Sequence, residues 1–169
     1  MIPIGQAIPH KVLLVDDDPA VLDMVTQGLE HKGYEVVAVA GVNEALRHVT
    51  TQNFDALITD LHMPNPGDGF TVISAMRHSQ PNALTLLVSG YPDVQSAMAS
   101  ILLEADEIVI KPFEIKQLAE LLNARMLNRE NAAPSTKERV GGILKRCSKT
   151  MVPVMNGLSA TEEVRVSYA

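Results

Sequence analysis

The sequence predicts an α/β domain: a parallel sheet with helices on both faces. Three observations lead there. Five short apolar runs alternate with five helical patterns between residues 11 and 127, and alternation of this kind builds parallel sheets through right-handed crossovers. The runs are apolar almost without interruption, as strands covered on both faces must be. Four of the five runs end on polar residues, and ligands of open parallel sheets bind beyond the carboxyl ends of the strands.

The elements follow in order. Lys11-Val-Leu-Leu-Val15 is a buried strand that runs into Asp16-Asp17-Asp18 and Pro19. An Asp cap followed by proline in the first turn starts a helix. That helix carries Val21, Leu22, Val25 and Leu29 at helical spacing, and Gly33 is its expected C-terminal cap. Glu35 to Val39 is the second strand, and Asn43 is expected to cap a second helix with Ala45, Leu46 and Val49. Ala56-Leu-Ile58 is the third strand and ends at Thr59-Asp60. Residues 64–69, Pro-Asn-Pro-Gly-Asp-Gly, are a loop by composition. Phe70, Val72, Ile73 and Met76 mark a third helix, and Leu84 to Val88 a fourth strand. Pro92 to Leu103 is expected as a helix, Ile108 to Ile110 as the fifth strand and Ile115 to Leu127 as the last helix. Residues 128–135 read as a polar linker, and 136–169 as a C-terminal extension that looks like an incomplete helical region.

Composition narrows the function. Of 169 residues, 46% are hydrophobic and only 4% aromatic, so the core is aliphatic. One cysteine, Cys147, excludes an internal disulfide and a multi-cysteine zinc site. No apolar run approaches membrane-helix length, and no signal-peptide pattern opens the chain. Residues 1–130 hold 8 Lys and Arg against 17 Asp and Glu, while residues 131–169 hold 6 against 3. An acidic body argues against a nucleic-acid surface there, and the basic tail shows no recognition helix. No direct nucleic-acid binding is expected of this chain.

The residues that carry chemistry sit where strands end. They are Asp16 and Asp17 after the first strand, Asp60 after the third, Ser89 after the fourth and Lys111 after the fifth. Carboxylates brought together raise one another's pKa or recruit a cation. A hard divalent ion such as Mg²⁺ suits oxygen ligands. A nearby ammonium and hydroxyl suit a phosphoryl group, which a carboxylate nucleophile can take up as an acyl phosphate. Taken singly, each feature has a plainer explanation. Asp16 to Asp18 can be a helix cap, Ser89-Gly90 a turn, and Lys111 a solvated loop lysine.

Four stretches in order change that balance: Val12-Leu-Leu-Val-Asp-Asp-Asp18, Asp60-Leu-His-Met-Pro64, Val88-Ser-Gly90 and Lys111-Pro112-Phe113. With these stretches the chain resembles the receiver domain of bacterial two-component response regulators, over residues 11–127. The resemblance implies a flavodoxin-like (βα)5 fold with strand order 2-1-3-4-5. It implies Asp60 as phosphoacceptor and a Mg²⁺ site built from Asp16, Asp17, Asp60 and the main-chain carbonyl of His62, with Asp17 the preferred direct ligand. Ser89 would donate to the phosphoryl group and Lys111 contact it as a positive charge. Further implications are a sensor histidine kinase or phosphotransfer protein as phosphodonor and an unidentified downstream protein; the lack of any internal disulfide fits a cytoplasmic setting. The face made by the 92–103 helix, the fifth strand and the last helix could then pair two copies. Catalysis would extend only to the chain's own phosphoryl transfer and dephosphorylation. The chain departs from the family pattern in three places. Pro66-Gly67 marks a one-residue insertion, Ile108 stands where an aromatic residue is usual, and Leu103-Glu104 replaces Ala-Gly. Two rivals remain open at this point: a receiver-like docking module that is not phosphorylated, and a hydrolase using Asp60 as nucleophile with Asp18 as acid.

Overall fold

The computed structural model describes residues 9–65, 67–90 and 105–129. The expected helix at 92–103, most of the 128–135 linker and the 136–169 extension lie outside them. The described elements are β1 (Lys11–Val15), α1 (Pro19–Glu30), β2 (Glu35–Val39), α2 (Val42–Thr51), β3 (Ala56–Asp60), α3 (Asp68–Ser79), β4 (Leu84–Ser89), β5 (Glu107–Ile110) and α4 (Ile115–Arg129). The five strands form one parallel sheet in the order β2-β1-β3-β4-β5.

Strand alternation divides the core into two layers. Leu13, Val15, Leu57 and Leu87 face one side, where Ala45 and Val49 of α2 and Val72, Ile73 and Met76 of α3 cover them. Val12, Leu14, Ile58, Leu86 and Val88 face the other, under Val25 and Leu29 of α1 and Leu118, Leu122 and Met126 of α4. Successive strand residues are therefore both buried, which is why the runs are apolar throughout rather than at every second position. Truncating a fully buried leucine such as Leu57 to alanine would cost about 2–5 kcal/mol.

Local chemistry sets the helix ends. Asp18 caps α1, its carboxylate accepting from the Ala20 amide at 2.8 Å. Gly33 (φ 88°) turns the chain out of α1: its amide donates to the Glu30 carbonyl, and the Tyr34 amide to the Leu29 carbonyl. At α2 the structure differs from expectation. Gly41, not Asn43, is the N-cap, and no side chain caps that helix. Helix α3 starts at Asp68, two residues before Phe70, with Gly67 in the left-handed region (φ 91°) at its entry. Helix α4 runs on through Arg129, into the segment read as a linker. Where α1 crosses α4, Gly28 provides the space: a Cβ there would overlap Ile115.

Two acids at the start of β5 are buried against arginines. Arg77 of α3 bonds to the Asp106 carboxylate, to the Thr85 hydroxyl (3.0 Å) and to the Pro81 and Ala83 carbonyls. Asp106 also accepts from the Thr85 amide at 2.8 Å. Glu107 is ion-paired with Arg125 of α4.

Tyr34 is buried and donates to Asn123 Oδ1 of α4 at 2.6 Å. Burial raises its pKa above the usual 10.0. The unfolded phenol ionises first as pH rises, so stability is unaffected below pH 10.0 and falls between that value and the folded pKa. Urea titrations of wild type and Tyr34→Phe at neutral and alkaline pH check this. The wild type should lose more stability than the variant above pH 10.0.

Candidate phosphoryl-transfer site

Parallel register brings the four strand ends to one edge. Val15 pairs with Thr59, Asp60 with Val88, and Ser89 with Ile110. Asp16 and Lys111 follow immediately on β1 and β5, and Asp60 and Ser89 are the last residues of β3 and β4. Main-chain bonds fix the exits. The Leu61 amide donates to the Val88 carbonyl, and the Lys111 amide to the Ser89 carbonyl, each at 2.9 Å. The Lys111–Pro112 peptide is cis.

The Lys111 ammonium lies 2.9 Å from Asp16 Oδ2 and 2.9 Å from Asp60 Oδ1. Each carboxylate turns its other oxygen to a main-chain amide two residues ahead: Asp18 donates to Asp16 Oδ1, and His62 to Asp60 Oδ2, both at 2.9 Å. This is the local turn that Asp favours, and here it fixes the orientation of both carboxylates. Asp16, Asp60 and Ser89 are buried, whereas Asp17 and the His62 side chain are exposed.

The electrostatics are those of a crowded anionic edge held by one cation. Burial raises the pKa of Asp16, the neighbouring Asp60 charge adds to the rise, and the Asp18 amide and Lys111 oppose it without cancelling it. Burial alone would lower the pKa of Lys111, but its bonds to Asp16 and Asp60 raise it above 10.5, so the ammonium stays charged.

The structure thus brings Asp16, Asp60 and Lys111 into direct contact, with Ser89 beside them in the sheet and Asp17 on the solvent side. Among the described residues, no three His, Cys, Asp or Glu side chains are grouped to hold a metal. The donor set still fits Mg²⁺, which takes one or two carboxylates and keeps several waters, and every donor here is a hard oxygen. Gly69, which the sequence marks only as a spacing point, lies against the main chain of Asp60. Its close approach to Asp60, taken up below, depends on tertiary packing. Among the described residues, no helix is long and apolar enough to cross a membrane.

A family profile described as "Response regulator receiver domain" matches residues 12–123. "Transcriptional regulatory protein PrrA" of Mycobacterium tuberculosis is 32% identical over 130 residues, 77% of this chain and 55% of that protein. "Response regulator protein FleR" of Pseudomonas aeruginosa is 33% identical over 112 residues, 66% of this chain and 24% of that protein. The chain spans about half the length of the PrrA proteins it matches. Among solved structures, a CheY-like receiver domain from Methanospirillum hungatei superposes with a TM-score of 0.69 at 28% identity, over 73% of this chain and 98% of that one. A response regulator from Burkholderia pseudomallei, described with a phosphorylated aspartic acid, calcium ion and citrate, gives 0.63 at 28% identity, over 73% of each chain.

Proposed function

The chain belongs to the response regulator receiver family, and from that premise we propose that Asp60 accepts a phosphoryl group from a histidine kinase or phosphotransfer protein. The observation that carries this reading is the Lys111 ammonium, 2.9 Å from both Asp16 and Asp60 at the carboxyl edge of the sheet. An Asp60 oxygen attacks the phosphorus of the donor phosphohistidine. The new P–O bond replaces the P–N bond, and the released imidazole takes a proton from solvent. Lys111 offsets charge on the incoming group. The Ser89 hydroxyl, one strand away, donates to a phosphoryl oxygen. Receiver domains generally depend on Mg²⁺. Here Asp17, Asp60 and the His62 carbonyl would hold it, with Asp16 in support, and it would supply charge neutralisation during transfer.

Phosphorylation is a local charge event that biases a two-state element. The output goes through protein contacts, in a cytoplasmic setting, as a receiver over residues 11–127. The face around β5 and α4 is the surface through which two copies pair; the expected helix at 92–103 lies outside the described residues. Incubation of the chain with Mg²⁺ and acetyl phosphate, followed by intact mass and peptide mapping, tests the reading. One added phosphoryl group on Asp60 is expected. No adduct and no phosphate release would leave a docking module that is not phosphorylated, and phosphate release without an adduct would point to a hydrolase.

The metal assignment has its own test. Asp17 is exposed, whereas Asp18 is engaged in capping α1. Asp17→Ala should weaken Mg²⁺ binding at least roughly tenfold, the loss associated with removing one of few ligands or its support. Asp18→Ala should leave Mg²⁺ affinity near wild type and cost about 1 kcal/mol of stability through the lost cap. Titration calorimetry and urea unfolding separate the two, and equal affinity losses would overturn the assignment.

A further inference from the structure

We propose that Gly69 is a positioning residue for phosphoryl transfer: its missing side chain lets α3 sit against the main chain that presents Asp60. The inference rests on Asp60 as phosphoacceptor and adds the residue that sets where that carboxylate stands. A Cβ at Gly69 would overlap the Asp60 carbonyl oxygen, and it would lie 3.0 Å from the Asp60 carbonyl carbon and 3.1 Å from Leu61 Cα. All three neighbours are main-chain atoms. No rotamer change relieves such a contact, so the backbone itself must move. The atoms in its path carry the site. Asp60 lends one carboxylate oxygen to Lys111 and the other to the His62 amide, two residues along the same strand exit. The Gly69 amide also donates to the Leu61 carbonyl at 3.4 Å, an acceptor it shares with the Gly67 amide at 3.2 Å, which ties the entry of α3 to that exit.

The nearby Gly67 separates space from conformation. Gly67 needs glycine for its left-handed backbone, yet a Cβ there would meet only Phe70 Cδ2, at an ordinary 3.7 Å. Gly69 is the reverse case. Its backbone is ordinary helix, open to any residue, and only the approach to Asp60 excludes a side chain. The glycines therefore answer different demands, one from the loop and one from the site.

The variants are Gly69→Ala and Gly67→Ala in the full chain, labelled with acetyl phosphate and Mg²⁺ and scored per folded molecule. The amide resonance of His62 is followed in parallel, because its hydrogen bond to Asp60 reports carboxylate position without any phosphoryl transfer. Misplacing a reacting group by an ångström costs up to about a hundredfold, so Gly69→Ala should label roughly ten- to a hundredfold more slowly with a shifted His62 amide. Gly67→Ala, strained but clear of Asp60, should label near the wild-type rate with that resonance in place. Equal labelling of Gly69→Ala and wild type would overturn the proposal. So would slow labelling with the His62 amide unmoved, or a Gly69→Ala chain that stays unfolded even in trimethylamine N-oxide, since Gly69 would then serve only the fold. A wild type that takes no label at all would instead remove Asp60 as acceptor, and the positioning role with it.

Discussion

Asp60→Asn should take up no phosphoryl group while keeping the fold. The amide has the shape of the carboxylate but is no nucleophile at neutral pH, so the acyl phosphate cannot form. Stability should change little, because two effects oppose. Removing one charge relieves repulsion with buried Asp16, which lies within reach of Asp60 through the shared Lys111. Against this, Lys111 loses its ionic bond to Asp60, and a bond to a charged group is worth about 1.5–3 kcal/mol. Lys111 keeps Asp16, and the Asn carbonyl can still accept from the His62 amide or from the ammonium. Intact mass after incubation with acetyl phosphate and Mg²⁺ reads the chemistry, and a urea titration reads the fold. An Asn variant labelled at the wild-type level would place the acceptor elsewhere.

The second large effect lies at the opposite end of the sheet. Arg77→Met should cost about 3–5 kcal/mol, because it leaves the Asp106 carboxylate buried without its cation. Both side chains are under 10% exposed, so water cannot replace the arginine. A domain of ordinary stability, about 5–15 kcal/mol, would lose a large share of it. Methionine keeps most of the aliphatic volume, which confines the effect to the charge and its hydrogen bonds. The double variant Arg77→Met, Asp106→Asn should recover part of the loss, since the stranded charge is then gone. Urea midpoints at constant slope measure both. A single variant within about 1 kcal/mol of wild type would mean that the pair contributes little.

The sequence shows the sheet and the site edge clearly, and for one reason. A parallel sheet covered on both faces needs unbroken apolar strands, and such strands cannot continue past the core. The polar residues that close four of the five runs, Asp16, Asp60, Ser89 and Lys111, are therefore placed by the same pattern that places the strands. What the pattern does not contain is pairing across the fold. Arg77 and Asp106 stand 29 positions apart and read as surface charges, as do Glu107 and Arg125. Only the docking of α3 and α4 makes them partners, with both acids buried. The apolar pattern alone does not separate Asp16 from Asp17, yet one is buried against Lys111 and the other is exposed, a difference set by the way the chain leaves β1. The Asn43 cap fails for a related reason. Asn is a good cap by type, but the chain already bends at Gly41, and the Ala45 amide finds the Gly41 carbonyl at 3.0 Å.

The crossing of α1 and α4 bears on how this chain and its kin can diverge. Gly28 and Ile115 share one fixed volume: a Cβ at 28 overlaps Ile115 Cγ2 and reaches within 2.9 Å of Cγ1. Position 28 is not free to grow alone, whereas Ile115 can shrink without it. A larger residue at 28 is tolerated once 115 has shrunk or its side chain has turned aside, so the order of substitutions at this pair is constrained. Ile115 opens the helix that follows Lys111 by four residues. An unmatched exchange at this distant seam would therefore push on the segment that carries the site's only described cation in contact with Asp60.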